Sequence, residues 1–421
     1  MANQYWLGQA AAVAQVSTLT VSGTPAAGQV YTATINGKSI TYTAVLADTN
    51  NTIAAGLQAA LAAAATAGTP VEFSEVTWTV GTNVVTATAA TAGVPFTVTG
   101  GASGAGTLTV ATTTASAGPA HWDTAGNWST GSVPATGDSV YIRESSADIL
   151  YGIAQSGVTL ALLDIDSTYS GKIGLPDLKS SYGGTVSYAE YRPTYLAIGA
   201  TGVNVGRGQG SGSSRIRLNT GTVQTTLRVY GTASPASTGG VAFDWLGTHA
   251  SNALVAARGS IGVAAKPGTS AVLASAKVGS QGSAVSDVRL LFGDGCTLTS
   301  LVMTGGTVEV RNGVSTVVMT DGVLTLSGTA GVSTSLEADG GLVNYDTTGT
   351  LASYVGGTES AIDFSRIAVA RTVTAATLNA KAGWKDPGKV VTVGGSGILV
   401  RCGLEELGKF DIGENFYIAR A

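Results

Sequence analysis

The sequence predicts a mainly β protein in which a small N-terminal α+β domain is followed by a parallel β-helix, or β-solenoid. Three observations predict it. The 421 residues include 59 glycines, 44% hydrophobic residues and only 11% charged ones, a balance that suits many short strands joined by tight turns. Asn36-Gly37 lies between two alternating β runs. This is the strongest short-range hairpin signal, because both turn residues tolerate positive φ. Finally, segments 300–306, 316–322 and 334–340 align without gaps, starting 16 and then 18 residues apart, and each is followed by a short alternating strand. A fixed period of strand, glycine turn and strand is the signature of a stacked array.

The same composition excludes several classes. Charge is well below the quarter usual in soluble domains, yet the mean hydropathy of +0.27 is too high for a chain disordered by charge. Glycine has no three-residue period and there are only 10 prolines, which excludes collagen. The net charge of −4 and the absence of any Lys/Arg run argue against nucleic acid as a partner. Cys296 and Cys402 are far apart, form no metal-ligand pattern and read as buried thiols of a protein made in a reducing cytoplasm. The N-terminus has no basic region of the signal-peptide kind. The most apolar stretch, 53–65, is shorter than the roughly 20 residues that span a bilayer, so no membrane partner is expected. No cofactor or metal motif is found.

In chain order, residues 1–20 read as an N-terminal docking arm. Tyr5 and Trp6 are large aromatics near a terminus, and they pack either on the chain's own first domain or on a neighbouring subunit. Residues 21–117 read as the α+β domain. Runs 30–35 and 39–44 flank the Asn36-Gly37 turn, and Asp48, Thr49 or Asn51 can cap a helix whose Ile53, Leu57 and Leu61 recur every four residues. Strands are expected at 71–80, 84–90, 96–98 and 108–110. Residues 118–140 read as a linker and solenoid cap, because Trp122 and Trp128 suit a plug over exposed strand edges. Residues 141–400 read as the solenoid, with Val308, Leu324 and Leu342 stacked in one interior column. Weaker rungs are expected at 158–165, 203–205, 216–218, 288–292, 373–378 and 390–393. Residues 401–421 read as C-terminal strands or a cap.

Candidate chemistry is sparse. His121 and His249 are the only histidines and neither lies in a nucleophile motif, so hydrogen bonding is the expected role. Asp164 and Asp166 flank Ile165 on a strand and point to one face. With Lys172 nearby they form the only lyase-like set, although an outward polar face explains them as well. The glycine-rich 206–212 matches neither dinucleotide nor phosphate loops, and the strand-like 215–218 follows it instead of a helix. Tyr182, Tyr188, Tyr191 and Tyr195 cluster around Glu190 and Arg192. Tyr and Arg are enriched at interface hot spots; a self-packed loop and sugar stacking are the other readings. Candidate subunit contacts are therefore Tyr5, Trp6, Tyr188, Tyr191, Arg192 and Tyr195, and no catalytic residue is assigned.

Several motifs carry a resemblance. Tyr5-Trp-Leu-Gly8, Ala14-Gln-Val16, the hairpin from Ile35 to Tyr42 and the run from Val71 to Trp78 resemble the opening domain of tailed-bacteriophage virion structural proteins. Asn127-Trp-Ser129, Pro134, Gly137-Asp138-Ser-Val140, the run from Tyr169 to Gly174 and that from Glu190 to Tyr195 resemble the β-helical part of the same group. The resemblance implies a non-enzymatic particle component made in the host cytoplasm and placed on the capsid surface of the virion. A capsid decoration or cement protein is expected, a homotrimer that contacts itself and the major capsid protein. A tail fibre or receptor-binding adhesin, and a β-helix polysaccharide lyase or hydrolase, are the alternatives.

Overall fold

The computed structural model describes residues 2–68, 70–176, 178–181, 184–187, 192–235, 240–279, 288–379, 381–388, 390–394 and 397–401. Strand dominates these residues, which include one α-helix. Buried apolar side chains fall into two clusters, one drawn from 19–108 and one from Trp6 and 122–384.

In the first cluster, Val30–Ile35 pairs antiparallel with Lys38–Thr43. Asn36 and Gly37 have φ of 49° and 82°, the doubly left-handed turn whose twist matches a hairpin. Val98–Ala102 lies on the other side of Val30–Ile35. A second antiparallel sheet orders Val76–Gly81, Val84–Ala89, Val16–Gly23 and Gly106–Thr114. The helix Asn50–Ala67 buries Ile53, Leu57 and Leu61 against this core. Its N-cap is Thr49, whose hydroxyl accepts from the Thr52 amide while the Thr52 hydroxyl accepts from the Thr49 amide. The expected strand 71–80 is shorter than its pattern implies. After Pro70 the chain makes a 3-10 turn, Val71–Glu75, that buries Phe73, and only Val76–Gly81 is extended.

The second cluster is the interior of a parallel, solenoid-like sheet in which every pairing between named strands is parallel. Two ladders interleave. One passes through Leu196–Arg207, Thr226–Val229, Ala253–Ala256 and Ala271–Val278. The other passes through Ile216–Asn219, Phe243–Leu246, Gly259–Val263 and Val288–Phe292. Both run into the long strand Cys296–Val310. From there each coil is one bent strand: Val314–Gly328, Val332–Thr347, then Leu351–Asp363.

Side chains alternate along a strand, so parallel in-register pairing stacks like positions into columns. One column runs Ile216, Phe243, Ile261, Leu290, Val308, Leu324, Val343 and Ile362 to Trp384. On the opposite ladder a second runs Val140, Leu163, Val203, Leu227, Leu254, Ala276, Leu301, Val317, Leu336 and Tyr354 to Ala376. All of these are buried. The bend between the two halves of a long strand falls on Gly306, Gly322 and Gly341, with φ of 84°, 103° and 84°. A Cβ at Gly341 would also strike the Gly322 carbonyl, so the bend requires glycine at this position.

The third aligned segment is displaced by one residue from its expected place. Leu324 pairs with Val343, while Leu342 sits opposite Val323 and is half-buried on the outer face. The pairing slips between Val314↔Val332 and Thr316↔Ser335, so the coil holds one extra residue there, a β-bulge. A one-residue shift moves a side chain to the other face, which removes Leu342 from the column and inserts Val343. Leu324→Asp and Val343→Asp are each expected to cost several kcal/mol in urea unfolding, whereas Leu342→Asp should cost under about 1 kcal/mol. Equal losses for positions 342 and 343 would contradict this register.

Candidate functional site

Two groups of polar and aromatic residues lie where the solenoid begins and where the helix-bearing unit meets it. An open solenoid end exposes strand edges and apolar columns to water. Here the chain's first strand, Asn3–Tyr5, covers that end by pairing parallel with Ser139–Ile142. Gln4 sits opposite Val140 at the top of the second column, and its side-chain oxygen accepts from the Thr130 hydroxyl at 2.7 Å. Trp6 and Trp122 each pack edge-on against Trp128, with ring centroids 5.1 Å and 4.7 Å away. The Trp128 indole donates to the Trp122 carbonyl at 2.7 Å. Asn127, fully buried, accepts from the Ala10 amide and donates to the Gly118 and His121 carbonyls.

The first strand is also held by Asp138. Its carboxylate accepts from the Ala2 amide at 2.6 Å and the Ala135 amide at 3.0 Å. These bonds hold its pKa below the usual carboxylate value. On the outer face Tyr5 stacks on Tyr141 at 5.2 Å, and the Arg143 guanidinium lies over both rings.

The junction is built on Arg192. Its Nη2 is 2.6 Å from Glu75 Oε2 and donates to the Pro95 carbonyl at 2.6 Å, with both charged side chains under a tenth exposed. Asn36 of the hairpin turn donates to the same Glu75 oxygen at 2.9 Å. One buried carboxylate thus ties the hairpin, the 3-10 turn and the solenoid together. Nearby, His121 reaches the Gly93 carbonyl through Nε2 at 2.9 Å.

These placements bear on each candidate. Trp6 is 2% exposed and spends its ring on the chain's own capped end, not on the first domain or an outer surface. Tyr5 is half-buried against Tyr141, and Arg192 is buried at the junction. The Tyr195 hydroxyl donates to buried Asp244 at 2.6 Å, beneath the Arg217 guanidinium. Tyr188 and Tyr191, with Tyr182, Glu190, Cys402 and residues 402–421, lie outside the described residues. From the sequence, Glu75 and Arg143 carry no expected contact, and Asp138 stands only within a motif of the resemblance. Isolated acids and a lone Arg carry no spacing signal, and only the fold brings them to their partners.

Ser116, His121 and Asp123 stand in the order of a nucleophilic triad, with Ser116 Oγ 3.3 Å from Nε2 and Asp123 Oδ1 3.4 Å from Nδ1. The Gly93 carbonyl occupies the same Nε2 at the shorter distance of 2.9 Å. A carbonyl only accepts, so Nε2 carries the proton and has no lone pair for a serine hydroxyl. His249 accepts from the Ser251 amide in a turn. Asp166 is taken up by the amide and hydroxyl of Thr168, while Asp164 Oδ1 is buried without a hydrogen-bond partner. Burial pushes the Cys296 thiol up to about 12, which leaves it unreactive near neutral pH. Among the described residues no group of three or more His, Cys, Asp or Glu could hold a metal ion, and no helix is long and apolar enough to cross a membrane. No family model matches the chain, and no curated protein matches it.

Two outcomes follow from this geometry. Arg192→Met removes the guanidinium from the buried Glu75 carboxylate while Asn36 still donates to it, which should cost about 3–5 kcal/mol, and adding Glu75→Gln should recover part of that loss. Additive losses in a double-mutant cycle would show that the two residues are not coupled. Because the folded pKa of Asp138 is depressed, its contribution is fully present above about pH 4–5 and is lost as pH falls through the folded value. Acid should therefore loosen the first strand before the rest unfolds, and Asp138→Asn should loosen it at neutral pH. Trp6 fluorescence that follows only the global transition in both cases would contradict this role.

Proposed function

We propose that the chain is a non-enzymatic structural component of a tailed-phage virion. In this reading it is a capsid decoration or cement protein that acts as a homotrimer and contacts the major capsid protein. The observation that carries the reading is the Arg192–Glu75 junction. It locks the helix-bearing unit to the solenoid, so that force or binding energy at one is felt by the other. The finer reading of the fold belongs to the same proposal: the α+β unit is a docking domain and the solenoid is a stiff, projecting body. Sequence motifs that resemble those of phage virion proteins, and an outer-face row of Ser275, Ser300, Thr316 and Ser335, support a protein that works by shape and contact. Such surfaces lose little hydration when a neighbour covers them.

A groove favours the adhesin as the second reading. Thr297, Asn312, Ser315, Ser333 and Thr350 line it across successive coils, with Leu298, Val314 and Val332 alongside. Uncharged hydroxyls and an amide over an apolar floor suit a neutral saccharide.

Copy number in purified particles separates the two. Decoration requires copies approaching those of the major capsid protein, with density on the shell; a handful of copies at the tail would replace it with the adhesin. Incubation with capsular polysaccharides, with and without calcium, is expected to leave them intact. Cleavage that disappears in Asp164→Asn would overturn the non-enzymatic reading.

A further inference from the structure

On the outer face of one ladder, residues stack into a row as regular as the interior columns. In order along the stack it reads Val255, Lys277, Val302, Val318, Glu337 and Val355, each paired with the next. Arg228 precedes it and Thr377 follows. The row is symmetric about the point between Val302 and Val318, except that the charge is inverted: Lys277 lies one rung before Val302 and Glu337 one rung after Val318. Both charged side chains are exposed, and neither has an ion-pair partner among the described residues. Three rungs at about 4.8 Å hold them roughly 14 Å apart, so they cannot meet within one chain.

We propose that this face is a two-fold contact between copies of the chain, packed face to face with their stacks antiparallel. A dyad lying along the strand direction at the centre of the row places Val302 of one copy on Val318 of the other. It then sets Lys277 opposite the second copy's Glu337, twice by symmetry, and Val255 opposite Val355. The alternative dyad, along the stack axis, sets Lys277 on Lys277 and Glu337 on Glu337, and like-charge contacts of that kind are costly. The charge pattern therefore selects one orientation of an isologous contact. The flanking row supports close approach. Ser275, Ser300, Thr316 and Ser335 occupy it, and under the same dyad they meet as Ser300 on Thr316 and Ser275 on Ser335, with no bulky group between the sheets.

The eight rungs from Arg228 to Thr377 give a strip about 34 Å long and roughly 14 Å wide. Two copies then bury on the order of 1,000 Å² in total, at the lower bound of a specific interface, so the association is reversible and weak. It is compatible with a three-fold contact elsewhere, where it would join neighbouring trimers. It also stands whether or not the chain is a virion component.

Sedimentation velocity of the full chain over a wide concentration range tests it. The wild type should double its mass reversibly, from the chain or from its trimer. Lys277→Glu and Glu337→Lys should each weaken this step by roughly tenfold or more, because each substitution creates two like-charge contacts. The combined Lys277→Glu/Glu337→Lys variant should restore it, and Val318→Asp should abolish it. All three sites are on the surface, so each of the four variants should keep the wild-type thermal transition. The proposal is overturned if the wild type does not double, if the single variants associate as the wild type does, or if the combined variant stays as weak as the singles.

Discussion

In-register parallel stacking is the constraint on which the rest of this protein depends. Each coil must present an apolar side chain where the coil below presents one, or a gap or a buried polar group results. The column from Ile216 to Trp384 meets this over nine positions, and its members change size from coil to coil, from Val308 and Val343 to Phe243 and Trp384. Neighbouring columns compensate: where Ala338 is small, Tyr354 in the next column and coil is large. Packing to the density of a protein interior requires such complementarity, since voids forfeit contacts on every side. Where the coil length changes, a bulge absorbs the difference, as between Val332 and Ser335, and the column continues.

A stack of this kind has no natural end, and that explains the concentration of tryptophans. The last coil leaves edges unpaired and column ends bare. At the N-terminal end the chain supplies a short strand, a glutamine over one column and three indoles, all within its first 130 residues. Further along, Arg371 plays a comparable polar role. It is 2% exposed, and its guanidinium donates to the Thr347, Phe364 and Ile367 carbonyls, which satisfies backbone acceptors that the irregular coil leaves open. The three indoles at the covered end and the buried Arg371 thus mark departures from the regular stack.

The same economy shapes the surface and the functional reading. With so few charges available, Arg192 and Glu75 are buried at the junction, whereas Lys277 and Glu337 stand exposed on an outer face. An isolated Lys or Glu on a stripe of valine and serine has no partner nearby to satisfy it, so its spacing along the stack becomes a pattern that a neighbouring molecule can read.

Much of the architecture was legible in the residues themselves. Asn36-Gly37, the four-residue recurrence of Ile53, Leu57 and Leu61, and the glycines at 306 and 322 report on local backbone conformation, which a sequence determines directly. The mainly β class and the parallel stack follow from them together with the repeated strand pattern. The tertiary structure alone decided the rest. A one-residue bulge exchanged Leu342 for Val343, because register is a property of two coils and not of one. The destination of Trp6, the pairing of Arg192 with Glu75 and the capture of His121 by Gly93 each join residues far apart in the chain, and no spacing rule encodes such contacts. Alternation along a strand is local and can be read, whereas the partner across a junction is set only when the whole stack has closed.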